Sequence, residues 1–144
     1  AKKMSSRNLK DLQVAFRVKV EAFLAACQSA KLRVKLTDGL RSFAEQDELY
    51  AQGRTKPGKV VTMAKGGQSI HQFGLAADFC FLTSKGEATW DGDWRLFGKM
   101  VRGVGLEWGG DWKKFVDRPH AQLRGWTWQK AAKLWPEGWK PPCG

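Results

Sequence analysis

The sequence predicts an α+β domain in which helices pack against a small, mainly antiparallel sheet. Three observations predict this class: helical and strand-like patterns follow one another irregularly, no internal repeat is visible, and 42% of the 144 residues are apolar, enough for a core. A regular alternation of strands and helices would instead indicate a parallel sheet. Since domains usually contain about 100 to 200 residues, the whole chain, 1–144, is expected to form one domain.

The first half of the sequence contains three predicted elements. Apolar residues recur at helical intervals over residues 6–30, which predicts an amphipathic helix. Residues 32–37 alternate between apolar and polar side chains, a pattern typical of a strand with one solvated face. Ser42 and Glu45 have the spacing of a capping box and predict a second, short helix that ends at Gly53.

The remaining elements are separated by a long basic loop at residues 54–69, where prolines, glycines and lysines follow no period. The almost continuously apolar residues 75–82 predict a central strand, interrupted by a single charge. Further elements are predicted as a helix over 96–104, strands at 106–108 and 121–123, and a last helix capped by Thr127 that ends before Pro136.

The chain is strongly basic, with 25 Lys and Arg against 14 Asp and Glu, a net charge of +11. Residues 1–65 contain fourteen of the basic residues and only six of the acidic ones. This surplus predicts an anionic partner, such as a cell-wall polymer or the surface of an outer membrane. Nucleic acid is not expected, because the basic residues are diffuse and accompany no reader motif.

Membrane-spanning and disulfide-rich classes do not fit the sequence. No segment approaches the roughly 18 consecutive apolar residues of a membrane span, and charges interrupt residues 9–27, unlike the apolar region of a secretory signal. The three cysteines are too widely spaced for a disulfide framework, which favours a reducing compartment. We expect Cys27 and Cys80 to be inert core thiols and Cys143 to be exposed.

Asp78 is the residue that most needs an explanation. A carboxylate within an apolar strand is costly unless a cation, hydrogen bonds or a metal compensates it. The two histidines both lie near aspartates: His71 precedes Asp78 by seven residues, and His120 follows Asp117 by three. Two histidines and a carboxylate are ordinary ligands of catalytic zinc. From these residues alone, a metal site and a buried ion pair remain open.

Residues 69–78, with the sequence SIHQFGLAAD, resemble the S-x-H-x-x-G-x-A-x-D motif of the LAS zinc peptidases. This group joins lysostaphin-type enzymes, D-Ala-D-Ala peptidases and the hedgehog domain. Other segments resemble its branch of phage and bacterial L-alanyl-D-glutamate endopeptidases, among them GLRS at 39–42 and WGGDW at 108–112, the latter followed by Phe115, Asp117, Pro119 and His120. The resemblance covers about residues 35 to 123 and implies the LAS fold.

The resemblance implies that His71, Asp78 and His120 bind one Zn²⁺ per chain. It places Asp117 where the family has its catalytic carboxylate, which accepts a proton from the attacking water and returns one to the leaving amine. Many relatives have Glu at that position, so Glu107 is kept as an alternative base.

Arg41 stands at the position of the family's arginine near the scissile carbonyl, where a cation stabilises the oxyanion or binds a substrate carboxylate. Ser69 and Gln46 are candidate substrate-binding groups. The alternative for Ser69 is that it orients the loop of His71, and the alternative for Gln46 is that it is a helix residue without a functional role. Among the eight tryptophans, Trp108 and Trp112 are expected to wall the cleft. The other six are expected to be packing residues rather than a carbohydrate platform.

The function implied by the resemblance is a zinc peptidase that hydrolyses the L-Ala–D-Glu bond of the peptidoglycan stem peptide. One alternative is a D,D-carboxypeptidase or dipeptidase acting on D-Ala-D-Ala, and another is a zinc-containing or basic binding module without activity. The biological role expected is that of a monomeric phage or prophage endolysin without a separate wall-binding module. Such a protein is made in the host cytoplasm and acts on the wall after release.

Overall fold

The computed structural model describes residues 5–142, and within them five strands form one antiparallel sheet. The strands are β1 Val34–Asp38, β2 Ala76–Leu82, β3 Ala88–Thr89, β4 Leu106–Trp108 and β5 His120–Leu123. The main order is β1-β2-β5-β4, and β3 pairs with the far end of β2. The strand predicted from residues 75–82 is therefore central, and the predicted antiparallel α+β class is confirmed.

Two of the four helices, α1 Val14–Ser29 and α3 Trp94–Gly103, pack together against one face of this sheet. The other two are α2 Phe43–Ala51 and α4 Trp128–Leu134. Phe23 of α1 packs against Phe79 of β2 and Phe97 of α3, with ring centroids 5.1 and 5.2 Å apart. All three rings are fully buried. The aromatic core between α1, α3 and the sheet fixes β2, and with it the position of Asp78.

The helix predicted over residues 6–30 is shorter than expected, because α1 begins only at Val14. Before it, the N–H of Ser6 donates to Leu40 O at 2.7 Å, and Ser6 O accepts from the N–H of Gly39 at 2.7 Å. These pairings join the N-terminal segment to the loop after β1, so its backbone groups are unavailable for a helix. Strand β3 was not predicted, since two residues show no periodicity.

Side chains alternate between the two faces along the central strands, as strand geometry requires. Ala77 and Phe79 of β2 and Ala121 of β5 belong to the core. Asp78 and His120 therefore lie on the opposite face, where they are directly paired across the two strands. This face is the floor of a cleft bordered by α2, the long basic loop and the segment that leads into α4.

Cys27 and Cys80 are buried core thiols, as predicted. Burial raises the pKa of the Cys27 thiol to about 11, so little of it is the reactive thiolate at neutral pH. Cys143 lies outside the described residues. Within residues 5–142, no helix combines the length and the apolarity needed to cross a membrane.

Candidate active site

The three predicted metal ligands lie together at the floor of the cleft. Register places Asp78 of β2 opposite His120 of β5, with Asp78 Oδ1 3.1 Å from His120 Nδ1. His71 reaches the other carboxylate oxygen, with its Nε2 3.4 Å from Asp78 Oδ2. One donor atom from each residue lies within 4.8 Å of the others. Residues from a turn and two strands thus converge on one point.

His71 is positioned by a one-turn 3₁₀ helix, Ile70–Phe73, that precedes β2. The Ser69 hydroxyl accepts from the His71 N–H at 3.3 Å, and the Gln72 side-chain oxygen accepts from the Ser69 N–H at 3.0 Å. Gly74 ends the turn at a φ of 68°, a left-handed conformation that favours glycine. This reversal brings His71 back over Asp78.

Hydrogen bonds fix which nitrogen of each histidine faces the carboxylate. Nδ1 of His71 donates to Gly39 O at 3.0 Å, so Nε2 is the nitrogen that faces Asp78. Nε2 of His120 donates to Gln122 Oε1 at 2.8 Å, so Nδ1 is the nitrogen that faces Asp78. Metal-binding histidines commonly use their second nitrogen in this way. Both imidazoles therefore turn toward Asp78 the nitrogen that would bind a metal.

The donor set fits Zn²⁺. A tetrahedral zinc ion with ligand bonds of about 2.0–2.1 Å separates its donor atoms by about 3.3 Å. Asp78 Oδ1 lies 3.1 Å from His120 Nδ1, and Asp78 Oδ2 lies 3.4 Å from His71 Nε2, so each histidine nitrogen is about this far from one carboxylate oxygen. Two imidazole nitrogens and one carboxylate match the three protein ligands of catalytic zinc sites, which leave one position open.

The metal-free cluster is electrostatically coupled. Burial by itself raises the pKa of Asp78, but the charges and hydrogen bonds of His71 and His120 outweigh it and hold that pKa well below its usual range. Burial lowers the pKa of His120, but Asp78, Gln122 and Asp117 together raise it above its ordinary value. Asp78 is therefore ionised and ready to bind a cation, which must displace a proton from His120 whenever that group is protonated.

Gln122 is a functional residue that the sequence analysis missed. It is buried and lies two residues after His120 on β5, so both side chains occupy the same face. Its amide orients His120 from the side opposite Asp78. The signal available in the sequence was the spacing His-x-Gln within a predicted strand. It becomes informative only when that strand is placed beside Asp78 of β2.

Replacing Gln122 with Ala is expected to weaken zinc binding by about 10- to 100-fold, the usual effect of removing a residue that orients a ligand. Zinc affinity is measured by competition with a chromophoric chelator. Gln122→Glu keeps an acceptor for the His120 N–H and is the matched control, expected to restore most of the affinity. An unchanged affinity in Gln122→Ala would show that His120 needs no orienting partner.

Asp117 lies at the edge of the metal cluster, with its Oδ2 3.9 Å from Nδ1 of His120. Its side chain is 46% exposed, so water reaches it. Its pKa is raised, first by partial burial and then by the charge of Asp78. The segment is pinned by the N–H of Asp117, which donates to Gly109 O at 3.0 Å. A side chain at Gly109 would have its Cβ 2.2 Å from Asp117 O, so only glycine fits.

Glu107 also borders the cleft, but it has a structural partner. It lies opposite Gln122 on β4, and its Oε2 accepts from Trp112 Nε1 at 2.9 Å. The Trp112 ring in turn packs 5.1 Å from the His120 ring. Glu107 therefore holds Trp112 against His120, whereas Asp117 lies near His120 without an intermediary.

Arg41 and Gln46 belong to a buried polar network behind the metal cluster. Arg41 Nη1 donates to Gln46 Oε1 at 2.9 Å, and the same oxygen accepts from Gln72 Nε2 at 3.2 Å. Gln46 Nε2 donates to Ala64 O at 2.8 Å. Gln46 is 1% exposed and Arg41 8%. The network connects α2, the His71 turn and the long loop, and it fixes the guanidinium at the cleft wall.

The prediction for Trp108 is wrong. Strand alternation directs it to the core face opposite Ala121, where it is buried and its Nε1 donates to Arg118 O at 2.7 Å. The cleft, with a volume of about 940 Å³, is lined by Trp112, for which this position was expected, and also by Trp126 and Trp128. Trp126 and Trp128 were expected to be packing residues only. Each of them packs against the core and also lines the cleft.

Comparison with known proteins agrees with this geometry. A family model described as D-alanyl-D-alanine carboxypeptidase matches residues 62–123, the segment that contains both histidines. The chain is 42% identical over 123 residues to the peptidoglycan L-alanyl-D-glutamate endopeptidase CwlK of Bacillus subtilis (strain 168), covering 78% of this chain and 74% of that protein. It is 34% identical over 101 residues to an L-alanyl-D-glutamate peptidase of Listeria phage A118, covering 62% of this chain and 34% of that protein.

A solved structure shows the same fold. The L-Ala D-Glu endopeptidase ChiX of Serratia marcescens aligns with a TM-score of 0.55 and 22% identity, over 92% of this chain and 90% of that chain. The resemblance inferred from residues 69–78 is confirmed by these matches. The chain therefore belongs to the same family of peptidases as the peptidoglycan L-alanyl-D-glutamate endopeptidase CwlK.

Proposed function

We propose that this protein is a zinc-dependent peptidoglycan endopeptidase that hydrolyses the L-Ala–D-Glu bond of the stem peptide. The observation that carries the proposal is the open cleft in which Asp117 stands beside a cluster of two histidines and one aspartate. The identity with CwlK supports the choice of bond. His71, Asp78 and His120 would hold the ion.

Zinc held by these three residues would act as a Lewis acid on the carbonyl oxygen of the substrate and would lower the pKa of the attacking water. Asp117 accepts the proton of the water that attacks the L-Ala carbonyl carbon. It then delivers a proton to the amine nitrogen of D-Glu as the C–N bond breaks, leaving an L-Ala carboxylate and a new amino terminus. Partial burial, a cause that does not depend on the ion, raises the pKa of Asp117 toward the working pH and so suits both transfers. Arg41 stabilises the negative charge that develops on the carbonyl oxygen.

Two further side chains would contact the substrate. Trp112 forms an apolar wall next to His120, and Glu107 keeps its ring in place. Ser69 lines the cleft while its hydroxyl oxygen accepts from the His71 N–H. Its hydroxyl hydrogen can therefore be donated to a substrate carbonyl while the residue still caps the turn.

Gln46 is proposed to position Arg41 rather than to bind substrate, since its amide is used within the protein. Gln46→Leu, close in volume, is expected to lower kcat by about 10-fold with KM and zinc content little changed, because a hydrogen bond to a charged group contributes about 1.5–3 kcal/mol. Gln46→Glu retains an acceptor for the guanidinium and should recover most of kcat. A rise in KM alone would favour direct substrate binding.

The bond is identified by digesting purified peptidoglycan with the zinc-loaded protein and analysing the products by mass spectrometry. New amino termini on D-Glu are expected. Release of D-Ala would instead establish the D,D-carboxypeptidase that the matching family description names. Bound zinc without any cleavage would identify a binding module.

The biological role proposed is that of a monomeric endolysin, made in the host cytoplasm and acting on the wall after release. The similarity to a peptidase of a Listeria phage supports this role. The net charge of +11 supports attraction to anionic wall polymers or an anionic outer-membrane surface.

Salt is expected to weaken wall lysis more than cleavage of a small soluble muropeptide. Raising ionic strength from about 0.1 to about 1 M shortens the Debye length from about 10 to about 3 Å, which removes long-range attraction to the polymer. Turbidity loss of purified walls should fall several-fold more than muropeptide turnover measured by chromatography. Equal losses on both substrates would contradict an electrostatic role for the basic surface.

A further inference from the structure

A second groove continues the catalytic cleft beyond Asp117. It has a volume of about 960 Å³ and lies between two lips, residues 60–64 of the long loop and residues 112–117. Trp112, Asp117 and Trp128 line both this outer groove and the cleft. A ligand that reaches Asp117 from this side therefore passes through the outer groove. The outer groove and the cleft are two parts of one continuous site.

The lips expose large apolar side chains to solvent. Phe115 is 84% exposed and Met63 71%, and Val61 and Val116 are more than half exposed. Apolar groups concentrated beside a cleft mark a binding surface more often than isolated ones do. Phe115 has a φ of 54°, a conformation that bulky residues rarely adopt. The backbone is strained at the point where it holds this ring in solvent, which indicates a functional constraint.

The chemistry of the scissile bond limits what can occupy the outer groove. In peptidoglycan the L-Ala amine is joined through a lactyl group to an N-acetylated amino sugar. Since one extended residue spans about 3.5 Å, the sugar ring must lie immediately beside the site of cleavage. Its C–H faces and its acetyl and lactyl methyl groups are apolar, whereas its hydroxyls and acetamide form hydrogen bonds.

The outer groove offers complementary groups. Phe115 and the half-buried Trp128 provide aromatic faces, and Met63 provides an adaptable apolar surface. Gln68, whose side-chain oxygen accepts from the Lys65 N–H at 3.0 Å, presents an amide nitrogen able to donate to an oxygen of the sugar. Aromatic walls with a few polar groups are typical of small-ligand sites.

We propose that the outer groove binds the amino sugar that carries the stem peptide, so that the enzyme recognises the peptide together with its glycan. This inference rests on the proposed cleavage of the L-Ala–D-Glu bond. It assigns Phe115, Met63 and Trp128 to substrate specificity. It also orients the substrate, with its amino side toward Trp128 and its carboxyl side away from the outer groove.

The test compares kcat/KM of the zinc-loaded protein on two soluble substrates that contain the same L-Ala–D-Glu bond. One is a tripeptide attached to the disaccharide of N-acetylglucosamine and N-acetylmuramic acid, and the other is the free tripeptide. The wild type is expected to prefer the glycan-linked substrate by at least about 10-fold, which corresponds to about 1.4 kcal/mol. Phe115→Asn, which keeps a residue tolerant of the left-handed conformation, should remove most of that preference. It should leave turnover of the free tripeptide within about twofold.

Val18→Ser is the matched control, because Val18 is 56% exposed on α1 and lies outside both grooves. It should retain the full preference for the glycan-linked substrate. Equal preference in the wild type and in Phe115→Asn would overturn the proposal. A second result would also overturn it: Phe115→Asn keeps the preference for the glycan-linked substrate but no longer binds anionic phosphatidylglycerol vesicles. In that case the two lips would be a membrane-docking surface.

Binding of the peptide-free disaccharide, measured by calorimetry, separates this inference from the proposed function. Wild type should bind the disaccharide at least threefold more tightly than Phe115→Asn does. This difference is roughly the loss of affinity expected when one aromatic contact is removed. If the protein binds the disaccharide but hydrolyses neither substrate, the sugar-binding groove is supported and the endopeptidase activity is contradicted. If it hydrolyses both substrates equally and does not bind the disaccharide, the endopeptidase activity is supported and the sugar-binding groove is contradicted.

Discussion

Replacing Asp78 with Ala is expected to abolish zinc binding and hydrolysis together. Asp78 contacts both histidines, with distances of 3.1 and 3.4 Å from its two oxygens, so the change removes one of the three proposed ligands and the charge beside the other two. Loss of an orienting residue alone costs about 10- to 100-fold in metal affinity, and loss of a direct ligand should exceed that range. Zinc content is measured by atomic emission and activity by muropeptide turnover.

His71→Ala and His120→Ala should give the same joint loss. Asp91→Asn is the control for removal of a carboxylate, because Asp91 is exposed and lies outside the cleft. It should retain one zinc per chain and full turnover. A variant of His71, Asp78 or His120 that kept full zinc occupancy would remove that residue from the ligand set.

Asp117→Asn is expected to lower kcat by about 10²- to 10⁴-fold, the usual contribution of a positioned general acid or base. The amide is close in size to the carboxylate but cannot accept the proton of water. Because the Asp117 side chain lies at the edge of the cluster rather than within the ligand set, zinc content and thermal stability should remain near wild type. The combination of normal zinc and lost turnover separates a base from a ligand.

Glu107→Gln provides the matched comparison. Its amide oxygen still accepts from Trp112 Nε1, as the carboxylate does at 2.9 Å, so turnover should fall only a few-fold. If Glu107→Gln loses the larger part of kcat and Asp117→Asn does not, the base is Glu107. The two variants thus decide whether Asp117 or Glu107 is the base.

Local patterns in the sequence were sufficient to predict most elements and to single out the three side chains that lie together in the cleft. The capping box at Ser42 and Glu45 predicted the start of α2, and the apolar run around Asp78 predicted the central strand β2. These features depend on near neighbours along the chain, which sequence periodicity reports directly. The grouping of His71, Asp78 and His120 could be predicted for two reasons. A buried aspartate needs a compensating partner, and the resemblance to the zinc-peptidase motif identified the two histidines as that partner's ligands.

Residue patterns and motifs were enough to predict the α+β class, the family and three side chains able to bind a metal. The three-dimensional fold sets which face of each strand belongs to the core, and it therefore places Trp108 inside and Gln122 beside His120. It also decided that Gln46 and Arg41 share a buried hydrogen bond and that Phe115 stands beside the cleft. These relations depend on contacts between segments far apart in the chain, and no local pattern of residues encodes such distances.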